Sequence, residues 1–434
     1  MSNPEFRRNL WLSFSPHRLI GMPALLALTF TAVALANSGD QVANGLYAAS
    51  TSIFIFIVWL WGARNANATI VDELRDKTWD QQRMSALDPW AMTWGKLFGS
   101  TSFNWYGGLM CVAVIAASGY AADKTDVITT LLSLCAVGVL LHAALIALNL
   151  HSAQFQSRFV QRGGMGWLVI ILVFMVLPPF TINQTTPILW WGMETERALF
   201  WLDSAVLFAA CATFAAWRVV SNALQVRTLP WAWPAFACIL AVYFTGFVSG
   251  SGLHTLLLTG LFVAVTMTYA ALLTEPSTLV RWHKLRLLQQ KEDWRGWLEH
   301  LPLWPTTLAL AFLFAILGML APGEGGLEQG HMDFLRPQHG LAIALMLLRD
   351  ACVLLFFAFS PNSKRAVGTA ILYLVVLNML LPFLAGVAGL NTLRYFFLPF
   401  EAAHDPWSSV LIMTIHAAIA IGLVNWRLRT AGQQ

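Results

Sequence analysis

Apolar residues run along this chain in blocks too long and too unbroken for a soluble fold. Such stretches lie at about 19–37, 46–63, 101–121, 127–149, 165–182, 198–217, 231–249, 253–274, 305–321, 340–359, 367–389 and 408–426. Each is close to the roughly 20 residues that an α-helix needs to cross hydrocarbon. Backbone polar groups find no water there, so each stretch is predicted to be a helix, and no strand is expected. Charged residues gather in the gaps, and the longest gaps follow the second and eighth blocks, at 70–98 and 275–303. The predicted fold class is all-α: a polytopic membrane protein of about 12 transmembrane helices.

Composition agrees with this pattern. The chain is 57% hydrophobic and 11% charged, against about 25% charged in soluble domains. Its net charge of +4 is dispersed, which argues against nucleic acid. The five cysteines sit in apolar runs without a CxxC pair and read as small buried hydrophobes. Arg7-Arg8 and the following apolar run to Ala36 imitate a signal peptide. The run from Leu19 to Ala36 is long for one, so an uncleaved first span is expected.

Placing both chain ends in the cytoplasm puts 21 of the 26 Lys and Arg residues inside and 4 outside, with Arg349 within a span. That is the orientation the positive-inside rule selects. The chain also reads as a duplication. The fifth span enters after Ser157-Arg158 and ends at Pro178-Pro179-Phe180, and the eleventh enters after Lys364-Arg365 and ends at Pro382-Phe383. The sixth leaves at Trp217-Arg218 and the twelfth at Trp426-Arg427. Two pseudo-repeated six-helix halves are therefore expected, residues 1–227 and 228–434, related by an axis along the membrane normal.

The gap at 72–96 carries the most distinctive chemistry. Thr78 is suited to cap a helix, and Trp79, Met84 and Leu87 to rest on the interface. Asp72, Glu73, Arg75, Asp76, Lys77, Asp80 and Arg83 are expected to face water or a partner. Pro89 is expected to end the helix, with Trp90 and Trp94 anchoring the returning chain at headgroup depth. Glu73 and Arg75 should then contribute little to packing, and Glu73→Arg should leave folding intact. By residue chemistry alone, an interfacial helix that only links two spans stays open beside a partner-docking helix.

This segment resembles the loop between the second and third spans of ABC-2-type transporter permeases. The matching residues are Glu73, Arg75, Thr78, Trp79, Asp80, Ser85 and Gly95-Lys96-Leu97. It departs from that pattern at Gln81-Gln82-Arg83, and Pro89 comes four residues after Ser85 rather than close behind it. The resemblance implies a coupling helix seated in a cleft of a separate cytosolic ATPase, with Glu73, Arg75, Thr78, Trp79, Asp80, Ser85, Pro89, Gly95 and Lys96 as coupling residues. It also implies ATP and Mg on that partner with no cofactor on this chain, membrane lipid around it, and export across a bacterial inner membrane; if the two halves are equivalent, one chain takes two ATPase subunits. The lone Gly95-Lys96 has Leu97 where a phosphate-cradling loop needs Ser or Thr, so ATP hydrolysis by this chain itself is not expected.

Arg349-Asp350 stands in the middle of an apolar span, and His142 lies at a comparable depth in the first half. Ionisable residues at that depth face a bundle interior or a cavity. All three are candidates for a translocation path, with helix packing as the other reading. Adjacent helix positions point about 100° apart, so Arg349 and Asp350 are not expected to pair with each other. His416 reads as a packing residue and Asn378 as a helix–helix hydrogen bonder. Trp190-Trp191, Trp294 and Trp297 read as interface anchors. No metal-ligand spacing such as HExxH occurs. A gradient-driven transporter of 12 spans stays open as an alternative function, and a membrane scaffold or enzyme as a third.

Overall fold

The computed structural model describes residues 3–84, 87–155, 186–226, 228–248, 252–275, 277–321, 337–360, 366–398 and 406–431. The chain forms two compact units. One comprises Met1–Ile188 and Glu194–Thr228, the other Leu189–Met193 and Leu229–Gln434.

The first unit opens with α1 (Pro4–Ser13), capped by the Asn3 side chain, which accepts the Glu5 and Phe6 N–H groups. Pro4 occupies the first turn, where its missing donor costs nothing. The same device, Ser15 followed by Pro16, opens α2 (Pro16–Ala36). Next comes α3 (Gln41–Arg75), 35 residues long. At 1.5 Å per residue it spans about 52 Å, well beyond a hydrocarbon core of about 30 Å. Asp72, Glu73 and Arg75 therefore belong to the last turns of a helix, not to the loop that the charge pattern predicts.

The middle of α3, Ile55–Gly62, is π-helical. Widened turns of this kind leave backbone groups in need of side-chain partners. Asn104 Nδ2 donates to the Ile57 carbonyl at 2.9 Å, and His142 Nε2 donates to the Val58 carbonyl at 2.8 Å. Trp59 Nε1 reaches across to the Leu134 carbonyl at 3.0 Å. Short helices α4 (Thr78–Arg83) and α5 (Pro89–Gly99) follow, then α6 (Ser102–Ala121), α7 (Val127–Phe155) and α8 (Arg197–Ala223). Phe54, Val58, Trp59, Ile115, Leu134 and Leu141 fill the core between α2, α3, α6 and α7.

One expectation fails in the connection before α8. Ile188–Trp190 (β1) and Met193–Thr195 (β2) pair as a two-stranded hairpin. Trp191 and Gly192 turn it with φ of 53° and 73°, the positive pair that a tight primed turn requires. Only backbone facing lipid is confined to helices, and this hairpin lies between apolar segments. Trp190 donates from Nε1 to the Tyr243 carbonyl at 3.1 Å.

The second unit contains α9 (Ala232–Thr245), α10 (Leu253–Thr274), α11 (Leu279–Gln290), α12 (Trp294–His300), α13 (Trp304–Leu320), α14 (Pro337–Ala358), α15 (Ala366–Val387), α16 (Asn391–Phe397) and α17 (Pro406–Ala431). Helices α12 and α13 meet at a bend of 96°. Within α15, Val376–Leu380 is π-helical. Its core joins Leu261, Trp304, Ala311, Ile343, Leu347, Leu355 and Phe359.

Among the described residues, eight helices are long and apolar enough to cross a membrane, or nine if α12 and α13 form one span. The chain is thus an all-α polytopic membrane protein. The predicted segment 101–121 is helical as α6, but Asn104, Tyr106 and its serines and glycines dilute its apolar character below that of the eight. The predicted segment 231–249 yields only the 14-residue α9. The predicted segment 165–182 lies outside the described residues.

Candidate functional site

The segment 72–96 is built on a buried ion cluster. Lys96 is fully buried and bonds both carboxylates of its surroundings, Glu5 Oε1 at 3.3 Å and Glu73 Oε2. Its ammonium also lies 5.2 Å from the centre of the Trp79 ring, within cation–π range. Arg8 bridges the same two acids, Glu5 at 3.2 Å and Glu73 at 3.0 Å. Gln82 Nε2 donates to Glu73 at 2.8 Å, and Asn9 Nδ2 donates to Glu5 Oε1 at 3.0 Å. Two acids and two bases thus neutralise one another, and such pairing offsets the desolvation that buried charges cost.

Several sequence expectations are corrected here. Glu73 is only 7% exposed, not surface-facing. Trp79 is 5% exposed and packs inside, with Met92, Leu97 and Ile146 in the same cluster. Thr78 does not cap α4; its hydroxyl donates to the Glu73 carbonyl at 3.3 Å, closing the end of α3, while Lys77 adopts φ 58° to make the turn. Pro89 begins a helix instead of ending one. Asp88 caps α5 by accepting from the Trp90 and Ala91 N–H groups, with Pro89 at the first position. Arg75 and Asp80 are exposed, as expected, each in a loose surface pair: Arg75 with Asp72 at 3.8 Å, Asp80 with Arg83 at 3.7 Å. Ser85 lies outside the described residues.

Gly95 works with Gly99, one turn later, to let α1 lie against α5. A Cβ at Gly95 would sit 2.7 Å from Glu5 Cβ and 2.9 Å from the Phe6 nitrogen; one at Gly99 would sit 2.8 Å from Asn9 Cβ. Gly95→Ala should therefore lift α1 and speed tryptic cleavage at Arg7 and Arg8 several-fold. Gly21→Ala, whose Cβ would meet nothing within 4 Å, should leave the cleavage rate unchanged. Equal rates for both variants would refute the close packing of α1 on α5.

Glu5, Arg8 and Asn9 escape a reading centred on the 72–96 gap. Their signal is an inverted pattern in α1: polar Glu5, Arg8 and Asn9 share one side at helical spacing, while Trp11 and Leu12 are 84% and 63% exposed. What remains outward on residues 72–84 is a shelf of Asp72, Arg75, Asp76, Lys77, Asp80, Gln81, Arg83 and Met84.

The second unit holds a different polar site. Arg349 and Asp350, 3% and 0% exposed, do pair: Arg349 Nη2 lies 2.6 Å and Nε 2.7 Å from Asp350 Oδ1. The expectation that neighbours 100° apart stay separate fails because the long Arg349 side chain curls back over its own helix. Asn378, in the π turn of α15, accepts from Arg349 Nη2 at 2.5 Å and donates to Asp350 Oδ2 at 3.0 Å. It is a helix–helix hydrogen bonder, as its position in the span predicts. Tyr269 of α10 donates to Asp350 Oδ2 at 2.6 Å. Arg349 Nη1 has no partner among the described residues. A cavity of about 230 Å³ adjoins this network, walled by Tyr269, Asp350 and Asn378 and otherwise by apolar residues such as Leu354 and Leu374.

His142 is fully buried against Trp105 and spends its Nε2 proton on the π-helical carbonyl of Val58. The structure does not bring it together with Arg349 and Asp350 in one compact unit. Beyond the end of α10, burial pushes the Glu275 carboxyl above its usual range, opposed by Arg281 at 3.6 Å and the Leu303 N–H at 2.7 Å. No group of three or more His, Cys, Asp or Glu side chains among the described residues could hold a metal ion. No protein-family model matches this chain, and no curated protein or solved structure matches it either.

Proposed function

We propose that this chain is the membrane-spanning subunit of an ATP-driven transporter of the ABC-2 permease type, with ATP hydrolysis on a separate cytosolic subunit. The observation that carries the reading is the two-sided build of residues 72–96. One side is locked to the protein by the Lys96–Glu73–Glu5–Arg8 cluster, and the other presents a charged shelf on a helix that outruns the bilayer. A lever needs both a rigid base and a free face. In this reading the chain has 12 spans in two six-helix halves, with both ends in the cytoplasm of a bacterial cell and the shelf facing inward. It takes two ATPase subunits per chain and exports its substrate.

The test reverses charges that make no buried contact. Asp72→Arg, Arg75→Glu and Asp80→Arg together should leave folding within about 0.5 kcal/mol per site. They should weaken retention of the ATPase at least tenfold in pull-down, since like charges across a docked interface cost several kcal/mol. Unchanged retention, or robust ATP hydrolysis by the purified chain alone, would sink the proposal.

A second reading, a gradient-driven transporter, draws on the Asp350–Arg349–Asn378–Tyr269 network and its cavity, since membrane-embedded acids serve ion coupling. Asp350 already accepts from Arg349, Asn378 and Tyr269, which favours the first reading.

A further inference from the structure

We propose that the outward face of α11 (Leu279–Gln290) is a binding site for anionic phospholipid headgroups. The helix contains Arg281, His283, Lys284 and Arg286 and no acidic residue, and Lys291 follows at its cap. At 100° per residue, Val280, Lys284, Leu287 and Lys291 fall on one stripe, Trp282 and Leu285 fall opposite, and the exposed Arg286 lies on the flank between the two.

The orientation of that stripe is set by the other side of the helix. Leu285 is 3% exposed, and the Trp282 ring packs 6.2 Å from Trp304 and 6.3 Å from Phe359. Arg281 pins the helix by donating to the carbonyls of His300 at 3.0 Å and Leu301 at 3.2 Å, and by its pair with Glu275. Val280 and Leu287 are left 78% and 56% exposed, between cations. Arg286 and Lys291 have no acidic partner among the described residues.

Bare aliphatic side chains interleaved with lysines suit one environment above others. At the headgroup–acyl boundary the aliphatic groups enter the apolar layer and the cationic stems run along it toward phosphates; the Lys284 ammonium, which donates to His300 Nε2 at 2.6 Å, keeps two further donors for them. The position of the helix agrees. It starts five residues after Thr274, the end of an apolar helix long enough to span, and the chain soon turns into α13 through a 96° bend. Charge complementarity selects the occupant: α11 itself carries cations and no acid, the acids Glu292 and Asp293 coming only after Lys291, and such a helix fits anionic lipid. The shelf at 72–84 has Asp72, Asp76 and Asp80 mixed with Arg75, Lys77 and Arg83, and fits a folded protein with charges of both signs.

The test is a titration of short-chain phosphatidylglycerol or phosphatidylcholine into the full chain in neutral detergent, with bound lipid counted by native mass spectrometry. No ATPase is present, so the result stands apart from the reading proposed above. Wild type should retain phosphatidylglycerol in preference to phosphatidylcholine. Lys284→Gln/Arg286→Gln/Lys291→Gln should lower phosphatidylglycerol affinity about a hundredfold, at roughly fivefold per cation near an anionic surface, and leave phosphatidylcholine unaffected. Lys284→Arg/Lys291→Arg should keep wild-type affinity, which separates charge loss from misfolding. No preference in wild type, or equal preference in the triple-Gln variant, overturns the proposal. Competition by inorganic phosphate that strips the signal would reduce the site to a free-anion site and also overturn it.

Discussion

Lys96→Met is expected to destabilise the first unit by about 3–5 kcal/mol, the cost of removing one partner from a buried ion pair. Lys96 is fully buried, and its ammonium touches Glu5, Glu73 and the Trp79 ring together. Without it, two carboxylates that are 4% and 7% exposed face each other, with half-exposed Arg8 as their remaining cation. A melting temperature lower by roughly 10 °C in detergent should report the loss. Glu73→Arg should fail as badly, since it sets a third cation against Lys96 and Arg8. Replacing its three buried members together, Glu5→Gln/Glu73→Gln/Lys96→Met, should recover most of the loss, because neutral groups of similar volume often substitute for a buried ion network without cost and Arg8 is half-exposed to water. A Lys96→Met protein that melts like wild type would show that no such network holds α1, α3 and α5 together.

Asp350→Asn is expected to lower accumulation of the folded protein, again by about 3–5 kcal/mol. Asp350 accepts from Arg349, Asn378 and Tyr269, which occupy both of its oxygens. An amide in its place keeps one acceptor and turns an N–H₂ toward groups that donate. Arg349, 3% exposed, would then be a cation without a counter-ion inside an apolar span. The paired variant Arg349→Gln/Asp350→Asn removes both charges and should restore accumulation, which fluorescence-detected size exclusion measures directly. If Asp350→Asn accumulates normally while transport is lost, the carboxylate serves translocation, and the gradient-driven reading gains.

The apolar blocks were legible because the bilayer imposes their length and forbids unpaired backbone, so local composition alone predicts where helices run. Asn378 was legible for the same reason: an amide inside an apolar helix has few options but a neighbouring helix. Exposed Arg75 and Asp80 also follow from local chemistry. The fate of Glu73, Lys96 and Gly95 does not. A charge is buried only when partners neutralise it, and for Lys96 one partner is Glu5, 91 residues earlier. The gap between 64 and 100 looks like a loop because its charges are dense, yet α3 runs on through Arg75, since Glu73 meets Arg8 of α1 and Lys96 while Asp72 and Arg75 face outward. The Arg349–Asp350 pair likewise depends on a side chain long enough to fold back and on Asn378 to hold it there. Sequence by itself determined that this is a helical membrane protein with one unusually charged segment. Tertiary structure decided which of those charges form its base and which face outward, because burial of a charge is a property of its neighbours in space.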